Sequence, residues 1–130
     1  VPETEKLTNL AADLNLETNV KFLSAINDSE LGWLYQNCEL FVIPSSTEGF
    51  CLPLVEALHF SDRIVCSDIP IFREIATANC VYFSLFGDAL GNLSQAITQV
   101  LANQAFLPQA ASKRFDKSII AQQYLNLYQL

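Results

Sequence analysis

The chain contains no methionine, one histidine, one tryptophan and only four glycines in 130 residues. Each scarcity removes a class of function. With Gly32, Gly49, Gly87 and Gly91 as the only glycines, neither GxGxxG nor the P-loop pattern can be written, so nicotinamide and nucleoside-triphosphatase motifs are not supported. His59 stands alone, and Cys38, Cys51, Cys66 and Cys80 fall thirteen to fifteen residues apart with no CxxC pair, which argues against a zinc site. Basic residues are few: seven against fourteen acidic ones leave a formal charge of −7. That balance excludes nucleic acid or anionic lipid as a broad electrostatic partner and leaves only a local anion site open. No apolar stretch reaches the roughly 18 residues of a membrane span. Val1 introduces no basic, then apolar, leader, so no signal peptide is expected and the chain reads as a piece of something longer.

What is present is apolar: 51% hydrophobic residues, nine of them Phe, in a length suited to one compact domain with a real core. The cysteines lie in or beside apolar runs and read as buried thiols of a reducing compartment. Leu7, Leu10, Ala11 and Leu14 recur at helical spacing within Glu3 to Leu14. A strand is expected at Val20-Lys21-Phe22-Leu23, then a helix N-capped by Asp28 with Leu31, Leu34, Tyr35 and Cys38 on one face. Leu40-Phe41-Val42-Ile43 is a buried parallel strand stopped by Pro44, and Leu52 to Phe60 is a short helix with Pro53 near its start. Strands at 63–67 and 80–83, helices at 71–77 and from Asp88, and a terminal helical segment beyond Pro108 complete the reading. Leu90, Leu93, Ile97, Val100 and Leu101 form the apolar face of the helix that Asp88 caps. Strands alternating with helices at this spacing give an α/β domain with a parallel sheet.

Ligands of open α/β sheets bind beyond the carboxyl ends of the strands, which singles out the loop after Ile43. There Glu48-Gly49-Phe50-Cys51-Leu52-Pro53-Leu54-Val55-Glu56 joins a loop glutamate, a glycine that permits close backbone approach, and a helix start. Free N–H groups at that start, with the helix dipole, can hold a phosphate without lysine. Glu56, one turn in and flanked by Leu54, Val55, Ala57 and Leu58, is expected to be half-buried and to accept hydrogen bonds from a vicinal diol such as a ribose. The bland alternative is two unrelated surface glutamates. Arg73-Glu74 reads as an ordinary surface charge pair, His59 as a packed core residue, and Trp33, Tyr35 and most Phe as core; Ser45 and Ser46 either hydrogen-bond within the loop or cap it.

At these residues the sequence resembles the retaining glycosyltransferases of group 1, family 4, which carry an E-x7-E motif in the second of two Rossmann-like domains. The likeness runs through Val20 to Leu23, Glu30-Leu31, Leu34-Tyr35, Leu40 to Ser45, Glu48-Gly49-Phe50, Leu52-Pro53, Val55 to Leu58, Val65 to Asp68 and Arg73-Glu74-Ile75, up to the helix around Leu90 to Ile97. It implies a Rossmann-like parallel sheet of about four strands flanked by helices, the incomplete C-terminal half of a B-type glycosyltransferase fold over residues 1–130. The acceptor domain and the first strands of this domain would lie outside it. It implies transfer of a hexose-type sugar from a nucleotide diphosphate sugar to an acceptor glycan or lipid, as in polysaccharide biosynthesis, with neither metal nor cofactor. The full-length protein would be cytoplasmic or peripheral at the inner membrane face, and this chain inactive alone. Glu48 matches the glutamate that meets the transferred sugar. Gly49, Phe50 and Cys51 would offer backbone amides, Leu52 and Pro53 would stand at the helix start facing the diphosphate, and Glu56 would bind the ribose.

Several features depart from the family's pattern. Cys51 stands where the phrase E-G-F-G-L-P has glycine, Phe60-Ser61-Asp62-Arg63 replaces a Gly-x-Pro turn, and the family's Arg and Lys at the diphosphate would precede Val1. In the family's strand order two further strands lie between those at Val20 and Leu40, so these two are expected to pair directly in a four-stranded sheet. A non-catalytic remnant or interaction module that keeps the fold is the competing reading, favoured by Cys51 and the missing basic pair; a sugar-nucleotide epimerase relative is a third.

Overall fold

The computed structural model describes residues 2–61 and 63–103. The terminal helical segment expected beyond Pro108 lies outside the described residues. The chain divides into two compact units, one ending at Leu31 and the other beginning at Gly32.

In the first unit, helix α1 spans Pro2–Asp13 with Glu3 and Glu5 in its first turn, where carboxylates suit the positive end of the dipole. Its expected apolar face is only marginally covered: Ala11 is buried, whereas Leu7, Leu10 and Leu14 are about half exposed. The chain then turns through Leu16 N–H to the Ala11 carbonyl (2.8 Å) and Val20 N–H to the Leu16 carbonyl (3.0 Å). No strand forms at Val20 to Leu23. A strand exists only through a hydrogen-bonded neighbour, and among the described residues this segment has no strand partner; Val20, Phe22 and Leu23 stay exposed. Helix α2, Asp28–Asn37, starts in this unit, continues past Leu31 into the second, and begins with a reciprocal capping box. The Glu30 N–H donates to the Asn27 side chain at 3.0 Å, and the Asn27 N–H donates to the Glu30 carboxylate at 2.8 Å. The cap is therefore Asn27, one residue before Asp28, because Glu30 sits at the spacing that closes the box.

In the second unit, β1 (Phe41–Ile43), β2 (Ile64–Ser67) and β3 (Val81–Phe83) form a parallel sheet in the order β1-β2-β3. Phe41 is opposite Ile64, and Cys66 opposite Tyr82. Among the described residues the sheet has three strands, not the expected four, and segment 20–23 is not one of them. Helix α3 (Leu52–Phe60) connects β1 to β2, α4 (Pro70–Ala76) connects β2 to β3, and α5 (Ala89–Ala102) follows β3. All four residues of β2 are buried, as a central strand covered on both faces requires. Val65 packs with Phe83, Ala96 and Val100 in the cluster under α5. Alternation sends Ile64 and Cys66 to the opposite face, and α3 and α4 pack against each other.

Asp88 caps α5 as expected, its carboxylate accepting from the Gly91 N–H at 3.0 Å. A Cβ on Gly91 would collide with that carboxylate, so glycine there leaves room for the cap. The buried face of α5 is Ala96 and Val100 with Leu93 beside them; Leu90 is 81% exposed and Leu101 42% exposed, so both lie off the stripe assigned from spacing.

Candidate functional site

Because the three strands are parallel, the loops after Ile43, Ser67 and Phe83 emerge at one edge of the sheet. The first is the segment that carries Glu48. β1 stops at Pro44, whose ring supplies no N–H for a further ladder bond. The loop then folds on itself: the Ser45 hydroxyl donates to Glu48 Oε1 at 2.8 Å, which settles Ser45 as a loop hydrogen-bonder. Glu48 is otherwise exposed.

The turn into α3 is made by Cys51, at φ 68° and ψ 76° in the left-handed region. A Cβ there crowds the backbone at roughly 1–2 kcal/mol, which is why glycine suits such a position. Cys51→Gly is expected to raise the free energy of unfolding by about 0.5–1 kcal/mol, the relief of strain less the extra freedom of unfolded glycine. A urea titration measures this, and an unchanged or lower midpoint would show that the sulfur's packing outweighs the strain. Burial pushes the Cys51 thiol up, against any role as a ready nucleophile. At Gly49 a Cβ would meet nothing within 4 Å among the described residues, so no contact with them selects glycine there.

Helix α3 starts with no side-chain cap on its first N–H groups; Pro53 lies in the first turn, and the Leu54 N–H bonds back to the Cys51 carbonyl at 3.1 Å. Leu52 is 65% exposed at the mouth of the helix, and Phe50 is 42% exposed. Leu54, Ala57 and Leu58 face the core, leaving Glu56 on the open side. Glu56 is exposed, where partial burial was expected, because apolar sequence neighbours on a helix do not share its face. It is nonetheless held. The Tyr35 hydroxyl donates to Glu56 Oε2 at 3.0 Å and lies 3.5 Å from the Pro53 carbonyl. Tyr35 is itself buried, stacked on Phe60 at 5.8 Å and tilted against Phe41 at 5.1 Å. Burial, reinforced by the Glu56 carboxylate, pushes the Tyr35 phenol up, so it remains a donor at neutral pH. Sequence reasoning placed Tyr35 in the core and missed this role; its only signal was a polar tip on an apolar helix face. His59, expected in the core, is exposed in the last turn of α3.

On the second loop Asp68 meets Arg73 of α4 in a two-pronged pair, Nε to Oδ1 and Nη2 to Oδ2 both at 2.7 Å, with the guanidinium 4.1 Å over the Tyr82 ring. Arg73 is thus in an ordinary surface ion pair, with Asp68 as the partner these bonds identify. The guanidinium holds the Asp68 carboxyl below its usual range. A depressed carboxylate stabilises the fold above its unfolded value and loses that contribution as pH falls through the folded one. The stability difference between wild type and Asp68→Asn is therefore expected to shrink as pH is lowered below about 4. Denaturation at pH 7 and pH 3 measures this; a difference that persists at pH 3 would contradict it. Among the described residues no group of three His, Cys, Asp or Glu side chains could hold a metal, and no helix is long and apolar enough to cross a membrane.

A parallel α/β sheet flanked by helices, with an acidic loop and a left-handed turn beyond its first strand, has the architecture of a partial Rossmann-like domain. The family profile of glycosyl transferases group 1 matches residues 1–119, and the chain belongs to that family. It is 37% identical over 76 residues to the O-antigen chain mannosyltransferase RfbU of Salmonella typhimurium, covering 58% of this chain and 22% of that protein. It is 36% identical over 87 residues to the serotype-specific mannosyltransferase WbdA of Escherichia coli, 67% of this chain and 10% of that one. The O-antigen biosynthesis glycosyltransferase WclY of Escherichia coli is 28% identical over 130 residues, 97% of this chain and 36% of its own. The chain thus spans about a third or less of each of these relatives. No solved structure matches it significantly.

Proposed function

We propose that this chain is the donor-binding part of a longer retaining glycosyltransferase that moves a hexose-type sugar from a nucleotide diphosphate sugar to an acceptor glycan or lipid of a surface polysaccharide. The observation that carries the reading is the unit made by the 44–51 loop and α3, within a chain of this family. One carboxylate, Glu48, is fixed by Ser45 at 2.8 Å in the loop, and another, Glu56, is fixed by Tyr35 at 3.0 Å one turn into the helix. Between them lies a helix start with no side-chain cap.

In this reading Glu56 accepts both hydroxyls of the ribose diol. The backbone of Gly49, Phe50, Cys51 and Leu52 and the positive end of α3 face the diphosphate, and Glu48 holds hydroxyls of the transferred sugar. As the glycosidic bond breaks, negative charge grows on the leaving diphosphate, and a fixed dipole at that point favours the transition state over the bound donor. The acceptor site and the basic pair for the diphosphate belong to parts of the protein outside residues 1–130. Mannosyl transfer, named in the relatives RfbU and WbdA, is the first hexose to test.

The test is a transfer assay on the complete enzyme with nucleotide diphosphate sugars, the anomeric configuration of the product being read by NMR. A product that keeps the donor's configuration supports the proposal, and an inverted product contradicts it. Cys51, left-handed where glycine would be unstrained, favours the second reading, a domain that retains the fold without binding donor; absence of any saturable nucleotide binding would select it.

A further inference from the structure

Cys66 at the third position of β2 and Cys80 immediately before β3 are both buried, and their sulfurs lie 3.0 Å apart across adjacent parallel strands. They take no part in the site built around Glu48 and Glu56. We propose that Cys66 and Cys80 form an oxidisable dithiol, a modification site for peroxide-class oxidants, which closes to a disulfide joining β2 to the start of β3.

Three observations support this. A disulfide needs sulfurs at about 2.05 Å, so closure asks for a movement of about 1 Å, within the reach of side-chain rotation. The two thiols differ in access: Cys80 is 7% exposed and Cys66 0%, so oxidant of the size of hydrogen peroxide reaches Cys80 first. They also differ in acidity. The hydrogen bond between them holds the Cys80 thiol below its ordinary range, with the nearby Arg73 guanidinium acting in the same direction, while the bond and burial push the Cys66 thiol up. Cys38 and Cys51, half-buried, have no such neighbouring thiol among the described residues.

The chemistry balances with hydrogen peroxide as oxidant. The Cys80 thiolate attacks one peroxide oxygen, the O–O bond breaks, and the departing hydroxide takes up the thiol proton as water, leaving Cys80 as sulfenic acid. The Cys66 sulfur then attacks the Cys80 sulfur; the S–S bond forms, the S–O bond breaks, and the leaving hydroxide carries away the Cys66 proton as a second water. Two thiols are oxidised and one peroxide is reduced. The bond would close a loop between positions 14 apart that contains α4.

The experiment exposes the folded full chain to hydrogen peroxide, blocks remaining thiols by alkylation, and maps tryptic peptides without reduction. Cleavage after Lys21, Arg63, Arg73 and Lys113 places Cys66 in peptide 64–73, Cys80 in 74–113, and both Cys38 and Cys51 in 22–63. The expected result is loss of two of the four thiols, with 64–73 joined to 74–113 and released by a dithiol reductant. In Cys66→Ser the reaction is expected to stop at sulfenic acid on Cys80, trapped there by a 1,3-dione. Folded chain that keeps the Cys66 and Cys80 thiols while the urea-unfolded chain oxidises, or linkage through 22–63, would overturn the proposal, and the wild-type map needs no variant to fold.

Discussion

Replacing Glu48 by Gln is expected to lower the turnover of the complete enzyme by roughly two orders of magnitude, while affinity for the donor changes by less than about threefold. Gln keeps the shape of the side chain and an oxygen that can still accept from the Ser45 hydroxyl now 2.8 Å away, so the loop is preserved and only the charge is removed. A charged acceptor on a sugar hydroxyl is about twice as strong as a neutral one, and its full value is realised as charge redistributes around the breaking bond. The signature is therefore a fall in kcat with KM nearly constant, measured with saturating acceptor. Equal turnover in the two proteins would remove Glu48 from the reaction.

Glu56→Ala is expected to act on the other parameter. Loss of a carboxylate that accepts from a ribose diol costs on the order of 1.5–3 kcal/mol, or about ten- to a hundred-fold in affinity for a nucleotide diphosphate sugar. The same loss should appear with the nucleoside diphosphate alone, because the proposed contact is to the ribose and not to the sugar. Folding should change little: Glu56 is exposed, and the Tyr35 hydroxyl retains the Pro53 carbonyl as a neighbour at 3.5 Å. Calorimetric titration of both ligands decides it, and unchanged affinity would refute the ribose assignment.

How far this was legible in the sequence depends on the range over which each feature is determined. Helices α2 to α5 and the three strands follow from local signals: Pro44 ending β1, Pro53 in the first turn of α3, and Asp88 capping α5. The apolar segment at 20–23 has the composition of a strand, but strand formation is decided by a hydrogen-bonding neighbour, and nothing in those four residues says whether one is present. The same locality explains the site. The pairing of Glu48 with Gly49 and a helix start can be read along the chain, and so can a loop serine near Glu48. The Tyr35–Glu56 bond joins residues 21 apart, and Cys51's left-handed backbone is imposed by the geometry of entry into α3. Glu56 and His59 have apolar sequence neighbours without an apolar surrounding, because the core side of α3 is Leu54, Ala57 and Leu58 and both residues lie off it.

The central claim is that the diphosphate and ribose of a sugar donor are held by the start of α3 and by Glu56. The most direct measurement is a structure of the complete enzyme with a nucleoside diphosphate bound. The account predicts the ribose diol on the Glu56 carboxylate and the diphosphate before the Leu52 end of α3. Nucleotide bound elsewhere, with Glu56 facing only Tyr35 and solvent, would contradict it.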